Sequence, residues 1–600
     1  MTYKITYNQR LVKPKETRNV TLRGSIPCNE DYRLMQELVK NEPSSMHNQL
    51  PILWSNASEH TVEDSNRNRW IDFTSGIFTA NVGHGNPAVT SAIQRTVNKG
   101  LCHSYYYPTA ERAELTRELL KLTPWLDKVL LLTTGSEAVE AALKMAVIRG
   151  KADCNTRCKI VAFENSFHGK TLGSQFAGGK PKEKEWIGWS HPNVVHIPFP
   201  YPWVLEEKGM TGAQFFEDST KSLHPYQIAA FITEPYQGWC AAFMPADYAQ
   251  AMKKFCELNN ALLIVDEVQA GFGRTGKMFG FEHLGVQPDI IVCGKGISSS
   301  LPLSAVITRQ DIVGDNQSFN STHGGNPVAV AASVASIREI RRLDLVKASA
   351  KLGDYLGAQL FELKNKYPSH IKRICGSGLL AAVFIESGTT ESNEDFVDRL
   401  IEKAFFKGLV SVRTGSGTLK LGPPLCITQD ALQEGLDILE DSLVELIDEQ
   451  QEPIHITGTR HVGFNVTSIA EALPFYTELL GGEVVWEGTE ARSPYIAELL
   501  AVGIEYTLKM VKVKLPTGLV VELLEGSAYI PSSRSTRTVP GSHLAIQVSN
   551  IQDAYSKVKA RGYRVLSAPL RSTDGGAMVF MALDPSDNRI EFVEPLIEVT

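Results

Sequence analysis

The stretch ALLIVDEVQAGFGRTG, residues 261–276, decides the fold. Five apolar residues run directly into Asp266, and a glycine-rich turn follows at Gly271, Gly273 and Gly276. An unbroken apolar run of this length reads as a strand buried on both faces. A carboxylate at the end of such a strand is costly unless a charged partner meets it. Strand periodicity puts Asp266 and Val268 on one side. Similar runs occur at KVLLLTT (128–134), KIVAFE (159–164), IAAFITEP (228–235) and DIIVCGK (289–295). Helical periodicity separates them at Glu137–Ile148 and Pro245–Leu258. Strands alternating with helices predict an α/β fold with a parallel sheet covered on both faces. Ligands of such sheets bind outside the carboxyl ends of the strands.

Three features meet that rule. Lys295 closes the run DIIVCGK and is followed by Gly296. A partly desolvated lysine amine is a nucleophile for Schiff-base formation, although a lone lysine reads equally as a solvated surface residue. Asp266 is suited to a pyridinium nitrogen, because keeping that nitrogen protonated makes the ring an electron sink. Gln269 then stands within reach of a ring hydroxyl, or Asp266 simply caps the glycine-rich turn. Thr134-Gly-Ser-Glu137 joins a strand to a helix. Backbone N–H groups at such a junction cradle phosphate, and the same residues also make an ordinary N-cap.

The whole chain has 600 residues, which predicts at least two domains. It is 43% hydrophobic and 21% charged, with a net charge of −7. That excludes a disordered or collagen-like chain. No basic tract supports nucleic-acid binding, and no apolar run approaches the roughly 18 residues of a membrane span. The N-terminus MTYKITYNQRLVKPKETRNV lacks an apolar signal core, and the nine cysteines form no CxxC pair. A cytoplasmic protein with reduced thiols is expected.

Residues 447–457, IDEQQEPIHIT, follow an amphipathic pattern at Ala431–Leu446 and read as a linker. Beyond it lies an internal repeat. His461-Val-Gly-Phe-Asn-Val-Thr-Ser-Ile-Ala-Glu-Ala recurs as His543-Leu-Ala-Ile-Gln-Val-Ser-Asn-Ile-Gln-Asp-Ala. Each copy reads as a strand leading into a helix that ends near Gly481 or Gly562. Val520-Val-Glu-Leu-Leu-Glu525 recurs as Arg589-Ile-Glu-Phe-Val-Glu594. His461, Glu522, His543 and Glu591 therefore occupy matched positions. Two imidazoles and two carboxylates suit a divalent ion such as zinc, manganese, cobalt, nickel or iron. A single strand histidine would instead read as a satisfied structural residue.

Residues from about 35 to 445 resemble the class III aminotransferases of the ornithine and 4-aminobutyrate type, which have fold-type I. The likeness rests on Asn81-Val-Gly-His84, Thr134-Gly-Ser-Glu-Ala138, Phe167-His-Gly-Lys-Thr171, Glu234-Pro-Tyr-Gln-Gly238, Asp266-Glu-Val-Gln269, Gly271-Phe-Gly-Arg-Thr-Gly276, Pro288-Asp289, Lys295-Gly296, Thr322-His-Gly-Gly-Asn-Pro327 and Gly422-Pro-Pro-Leu425. The resemblance implies pyridoxal 5'-phosphate, an amino donor, a 2-oxo acid acceptor and a homodimer with shared sites. It implies that Lys295 holds the cofactor and shuttles a proton, that Asp266 pairs with the ring nitrogen, and that Val268 and Phe167 sandwich the ring, with His168 beside them. It places Gln269 at the ring oxygen, with Glu234 supporting it. Gly135 and Ser136 would hold the phosphate, together with Thr322 of the neighbouring subunit. It assigns the substrate carboxylate to Arg413. One departure is Trp239, which stands where the ornithine and 4-aminobutyrate enzymes carry a glutamate after EPxQG. Trp239 is expected to line an apolar or aromatic substrate pocket. The same motifs occur in class III racemases, decarboxylases and aminomutases, so these reactions stay open.

Residues 458–598 resemble vicinal oxygen chelate domains of the glyoxalase and methylmalonyl-CoA epimerase type, which are built from paired βαβββ modules. Ala472–Gly481, Val521–Glu525 and Asp584–Glu591 carry the likeness. It implies a metal-dependent activity on a related carbonyl compound, and its alternative is a metal-free ligand-binding or dimerisation module. The expected organisation is an aminotransferase region at 1–450, a linker at 447–457 and a chelate domain at 458–600. Within the first, a large domain covers about 80–330, and a small one takes 1–79 and 331–446.

Overall fold

The computed structural model describes residues 8–596, apart from 48, 106, 416, 452–455, 467, 475, 478–481, 501–504, 517, 528–542, 561, 574 and 584–588. The chain divides into two units, Met1–Glu386 with Asn393–Leu443, and Ser387–Ser392 with Val444–Thr600. No described helix is long and apolar enough to cross a membrane.

The centre of the first unit is a seven-stranded sheet. Its strands are β1 (Lys128–Leu132), β2 (Lys159–Phe163), β3 (Val194–Ile197), β4 (Ile228–Thr233), β5 (Leu262–Asp266), β6 (Ile290–Cys293) and β7 (Ser304–Thr308). The spatial order is β3-β2-β4-β5-β6-β7-β1. Strands β3 to β6 are parallel, while β7 runs antiparallel to both β6 and β1. The five strands expected from sequence are thus mutually parallel, and the added strand β7 runs antiparallel between β6 and the edge strand β1 for a simple reason. Only residues 294–303 separate β6 from β7. A parallel crossover needs a dozen or more residues, so a shorter connection returns the chain antiparallel.

Helix α1 (Gly135–Asp153) starts at a capping box, in which Thr134 and Glu137 satisfy each other's backbone N–H groups. Its Ala138, Val139, Ala142, Met145 and Ala146 are buried, at helical spacing. They pack on Ile160, Ala162, Ile232, Ile264 and Val292 from one face of the sheet. Helix α2 (Ala246–Leu258) lies on the opposite face, where Tyr248 meets Phe163 with ring centroids 6.0 Å apart. The alternation of Ala162 and Phe163 between the two faces is the strand period itself.

A second, antiparallel sheet carries β8 (Ile371–Gly376), β9 (Ala381–Ile385), β10 (Val412–Thr414) and β11 (Thr418–Leu421), in the order β8-β9-β11-β10. Helix α3 (Asn393–Phe405) packs against β10 and β11. Helix α4 (Gln429–Gln451) buries Leu432, Leu436, Leu439, Leu443 and Leu446. It continues through the first residues of the expected linker, and the next strand opens at Ile456.

The second unit holds an eight-stranded sheet made of two βαβββ modules. The first comprises β12 (Ile456–Asn465), α5 (Ile469–Pro474), β13 (Glu483–Ala491), β14 (Thr507–Lys514) and β15 (Val520–Gly526), with helix α6 (Pro494–Leu500) inserted between β13 and β14. The second comprises β16 (His543–Val548), α7 (Ile551–Ala560), β17 (Leu570–Arg571), β18 (Ala577–Leu583) and β19 (Arg589–Pro595). Within each module the first and last strands pair in parallel, and β12 and β16 join the modules antiparallel. The quoted stretches 472–481 and 584–591 lie partly outside the described residues, at 475, 478–481 and 584–588.

Candidate active site and candidate metal centre

Asp266, His168 and Lys295 come together at the carboxyl ends of β5 and β6. Asp266 closes β5 and is 5% exposed. Its Oδ2 is 2.8 Å from His168 Nδ1, and its Oδ1 accepts the Val268 N–H at 3.1 Å. Burial disfavours charge on His168, but Asp266 more than offsets this and raises the imidazole above its ordinary value. The other ring nitrogen, Nε2, is buried without a hydrogen-bond partner. Lys295 follows β6 in a left-handed backbone conformation, φ +46°. A side chain costs about 1–3 kcal/mol there and persists only where the surroundings over-determine it. Burial lowers the Lys295 amine below its usual value, while Asp266 and Glu234 act in the opposite direction.

Val268 is wedged between two glycines. A Cβ at Gly135 would lie 3.0 Å from Val268 Cγ1, and one at Gly294 would lie 3.1 Å away. A side chain at either position would crowd Val268, so glycine suits the approach of the α1 N-terminus to the end of β6. The capping box uses the N–H groups of Thr134 and Glu137, and no described hydrogen bond uses those of Gly135 and Ser136. Ser136 Oγ accepts the Lys170 N–H at 3.3 Å. Phe167 remains 39% exposed. Thr322 is exposed, next to Ser321, whose hydroxyl donates to Glu137 at 3.1 Å. A glycine cradle, two unpaired helix N-terminal donors, a buried carboxylate and a buried amine fit a phosphorylated pyridine aldehyde.

Glu234 receives the N–H groups of Phe167 at 3.1 Å and Gly238 at 3.0 Å. Burial pushes its carboxyl up to about 7. Gln269 Oε1 accepts from Tyr236 at 3.2 Å and from Lys420 Nζ at 2.5 Å. With its oxygen held by two donors, Gln269 presents its N–H groups to an acceptor.

Lys420 is a buried residue of this site that the sequence reading did not single out. It lies in β11, fully buried, and also donates to the Gly238 carbonyl. Its ammonium sits 4.7 Å from the Phe78 ring centroid and 5.7 Å from that of Tyr236. Among the described residues no carboxylate pairs with it. Burial and then Lys295 push its amine down to about 7. Arg413, by contrast, is engaged at two points by Asp398, Nε to Oδ1 at 2.6 Å and Nη2 to Oδ2 at 3.2 Å, and it also donates to the Gly415 carbonyl. Trp239 donates to the Tyr201 hydroxyl at 3.2 Å and meets Phe384 edge-on at 5.8 Å. It forms part of an aromatic wall in which Tyr201 stacks on Trp203.

In the second unit the antiparallel pairing of β12 with β16 brings the repeat-matched residues together. His461 Nε2 lies 3.2 Å from His543 Nε2, 3.1 Å from Glu522 Oε2 and 3.1 Å from Glu591 Oε2. His543 Nε2 lies 3.2 Å from Glu591 Oε2. All four side chains are buried. Burial opposes charge on His461, yet Glu522 and Glu591 together raise its imidazole to about 9. The two histidines hold Glu591 well below the usual carboxylate range, against the effect of burial. Two ring nitrogens and two carboxylate oxygens converging on one point form a donor set that fits a divalent cation.

Among solved structures, the chain is similar to a transaminase from the marine bacterium Virgibacillus, at 25% identity and a TM-score of 0.64 over 70% of this chain and all of that one. The ornithine aminotransferase of Toxoplasma gondii gives 26% identity and a TM-score of 0.62, over 70% of this chain and 96% of that one. Sheet and site thus define a fold-type I transaminase. Residues 43–443 match the family Aminotransferase class-III, and the chain belongs to it. Relatives include an acetylornithine aminotransferase of Synechocystis, 31% identical over 67% of this chain and 91% of its own length. A 2-aminoadipate transaminase of Pseudomonas putida is 32% identical over 68% of this chain and 99% of its own length. Residues 458–592 match the Glyoxalase/Bleomycin resistance protein/Dioxygenase superfamily. The protein is a class III aminotransferase with a glyoxalase-superfamily domain at its C-terminal side.

Proposed function

We propose that the first unit moves an amino group between an amino acid or amine and a 2-oxo acid, using pyridoxal 5'-phosphate held at Lys295. The observation that carries this reading is the buried Lys295 amine, depressed by desolvation beside the His168-anchored Asp266 carboxylate. The cofactor supplies an electron sink that makes the substrate's α-hydrogen acidic. The protein's residues do the rest. Asp266, fixed by His168, keeps the ring nitrogen protonated. Gly135 and Ser136 N–H groups orient the phosphate, with Thr322 of a second copy completing it in a homodimer. Val268 supports one face of the ring and Phe167 covers the other. Lys295 would hold the cofactor covalently, and its amine would move the proton from the substrate's α-carbon to the cofactor's aldehyde carbon. Lys420 is proposed to meet the substrate carboxylate, because Asp398 already engages Arg413. Trp239 and its aromatic neighbours favour donors with an apolar side chain.

The second unit is proposed to hold a divalent ion between His461, Glu522, His543 and Glu591 and to bind or convert a carbonyl compound related to the first unit's substrates. The chemistry that such an ion supplies is polarisation of substrate oxygens.

The test is an absorbance titration of the purified protein with single amino donors and no acceptor. Transamination predicts that one donor class bleaches the cofactor band stably and that a 2-oxo acid restores it. Lys295→Ala should lose the covalently bound cofactor and turnover. A band that never converts while the substrate exchanges its α-hydrogen or releases CO2 would replace transamination by racemisation or decarboxylation.

A further inference from the structure

We infer that the cavity beside the His461–Glu522–His543–Glu591 cup takes a 2-oxo acid with an apolar side chain, the class of compound that the aminotransferase unit consumes or releases. The inference rests on reading the cup as a metal centre.

The sheet register supplies the argument. Glu522 and Leu524 point to one face of β15, and Glu591 and Val593 to the same face of β19. Lys512, Met510 and Leu508 of β14 stand opposite Glu522, Leu524 and Gly526. The face that carries the four donors therefore continues as an apolar wall. Leu508, Met510, Leu524, Met581 and Val593 line a cavity of about 90 Å³ there, and Ile496 of α6 closes it. That volume is several times what one water needs. Ser572 and Thr573 line another part of the cavity, and a hydroxyl set against the Leu508, Met510, Leu524, Met581 and Val593 side chains would go unpaired at a cost an apolar chain does not carry.

The donor end is set by the cup and by Lys512, with Arg460 also on the lining. Four protein donors leave two positions on a six-coordinate ion. A 2-oxo acid offers two oxygens on adjacent carbons, one of them anionic. Lys512 Nζ stands 3.5 Å from Glu522 Oε1 and 4.9 Å over the Trp486 ring, on the same cavity. It provides positive charge beside the cup for the ligand's carboxylate. The cavity thus has a chelating end, a cation and a tail region, in the order of a 2-oxo acid's own groups.

The experiment uses full-length protein loaded with Co²⁺, whose visible bands report its own ligands independently of activity. Pyruvate, 2-oxobutanoate, 4-methyl-2-oxopentanoate and phenylpyruvate are titrated in turn. The expected result is a band shift that saturates at one equivalent, with Kd falling about four-fold per buried methylene along the aliphatic members. Lys512→Met should weaken every member about ten-fold while Co²⁺ stays bound. Bands that no 2-oxo acid moves, or that pyruvate moves as tightly as the longer members, would overturn the ligand and leave the cup standing. Failure of Co²⁺ to bind, or its undiminished binding in His461→Ala, would remove the cup and the inference with it.

Discussion

Replacing Lys420 with methionine separates recognition of the carboxylate from the chemistry. Methionine keeps an unbranched apolar stem against Phe78 and removes the charge. Gln269 retains its hydrogen bond from Tyr236 at 3.2 Å, so its amide stays oriented. What is lost is one charge-assisted hydrogen bond to the donor's carboxylate, worth about 1.5–3 kcal/mol. That corresponds to a fall in kcat/KM of roughly 10- to 150-fold for an α-amino acid. A primary amine without a carboxylate has no such bond to lose and should change less than three-fold. The assay is the half-reaction rate, followed as loss of the cofactor band, with L-alanine and 1-phenylethylamine as paired donors. Arg413→Met serves as the comparison and should affect both donors alike, through loss of its ion pair with Asp398. Equal losses on both donors in Lys420→Met, or a carboxylate-selective loss in Arg413→Met, would refute the assignment.

Further consequences concern charge, metal and stability. Glu234 favours the charged form of Lys420, which burial pushes down to about 7. Glu234→Gln should therefore move the alkaline fall of kcat/KM for an α-amino acid to lower pH, and an unmoved limb in the pH profile would contradict this coupling. His543→Ala should release the divalent ion, measured by metal analysis, and leave the cofactor spectrum unchanged; unaltered metal content would speak against the cup. Arg274 is fully buried and donates at 3.0 Å to Ser75, Asn81 and the Leu379 carbonyl, and also to the Pro423 carbonyl. Arg274→Met should destabilise the first unit by at least ~3 kcal/mol, through acceptors left without a donor. An unchanged urea midpoint would show that these acceptors find other partners.

Much of the cofactor region was legible because its signals are local. Asp266 ends an apolar strand, Lys295 ends another, and the Thr134–Glu137 capping box opens a helix, each readable within a few residues. The repeat made the second cluster legible in the same way, since His461 and His543 occur in matching strings. Lys420 carried a readable signal too. A lone lysine inside the strand Thr418–Leu421, buried at every position, poses the same problem as Asp266 inside its strand. Arg413 is named by the family resemblance alone, and nothing local reveals that Asp398 engages it. The antiparallel return of β7 follows from the short connection after β6, residues 294–303, which leaves no room for a crossover helix.

The sequence by itself determined the strand-and-helix alternation, the junctions that present Lys295 and Asp266, and the four repeat-matched donors. Periodicity and residue chemistry act over a few neighbours, and a single chain displays them directly. Tertiary structure alone decided which charges are engaged and by which partners. His168 meets Asp266 across 98 positions, Lys420 meets Gln269 across 151, and His461 meets His543 across 82. Such pairings depend on strand register and on which faces close against each other. Burial then turns that geometry into chemistry, because a charge without water takes its state from whichever partner the fold brings near.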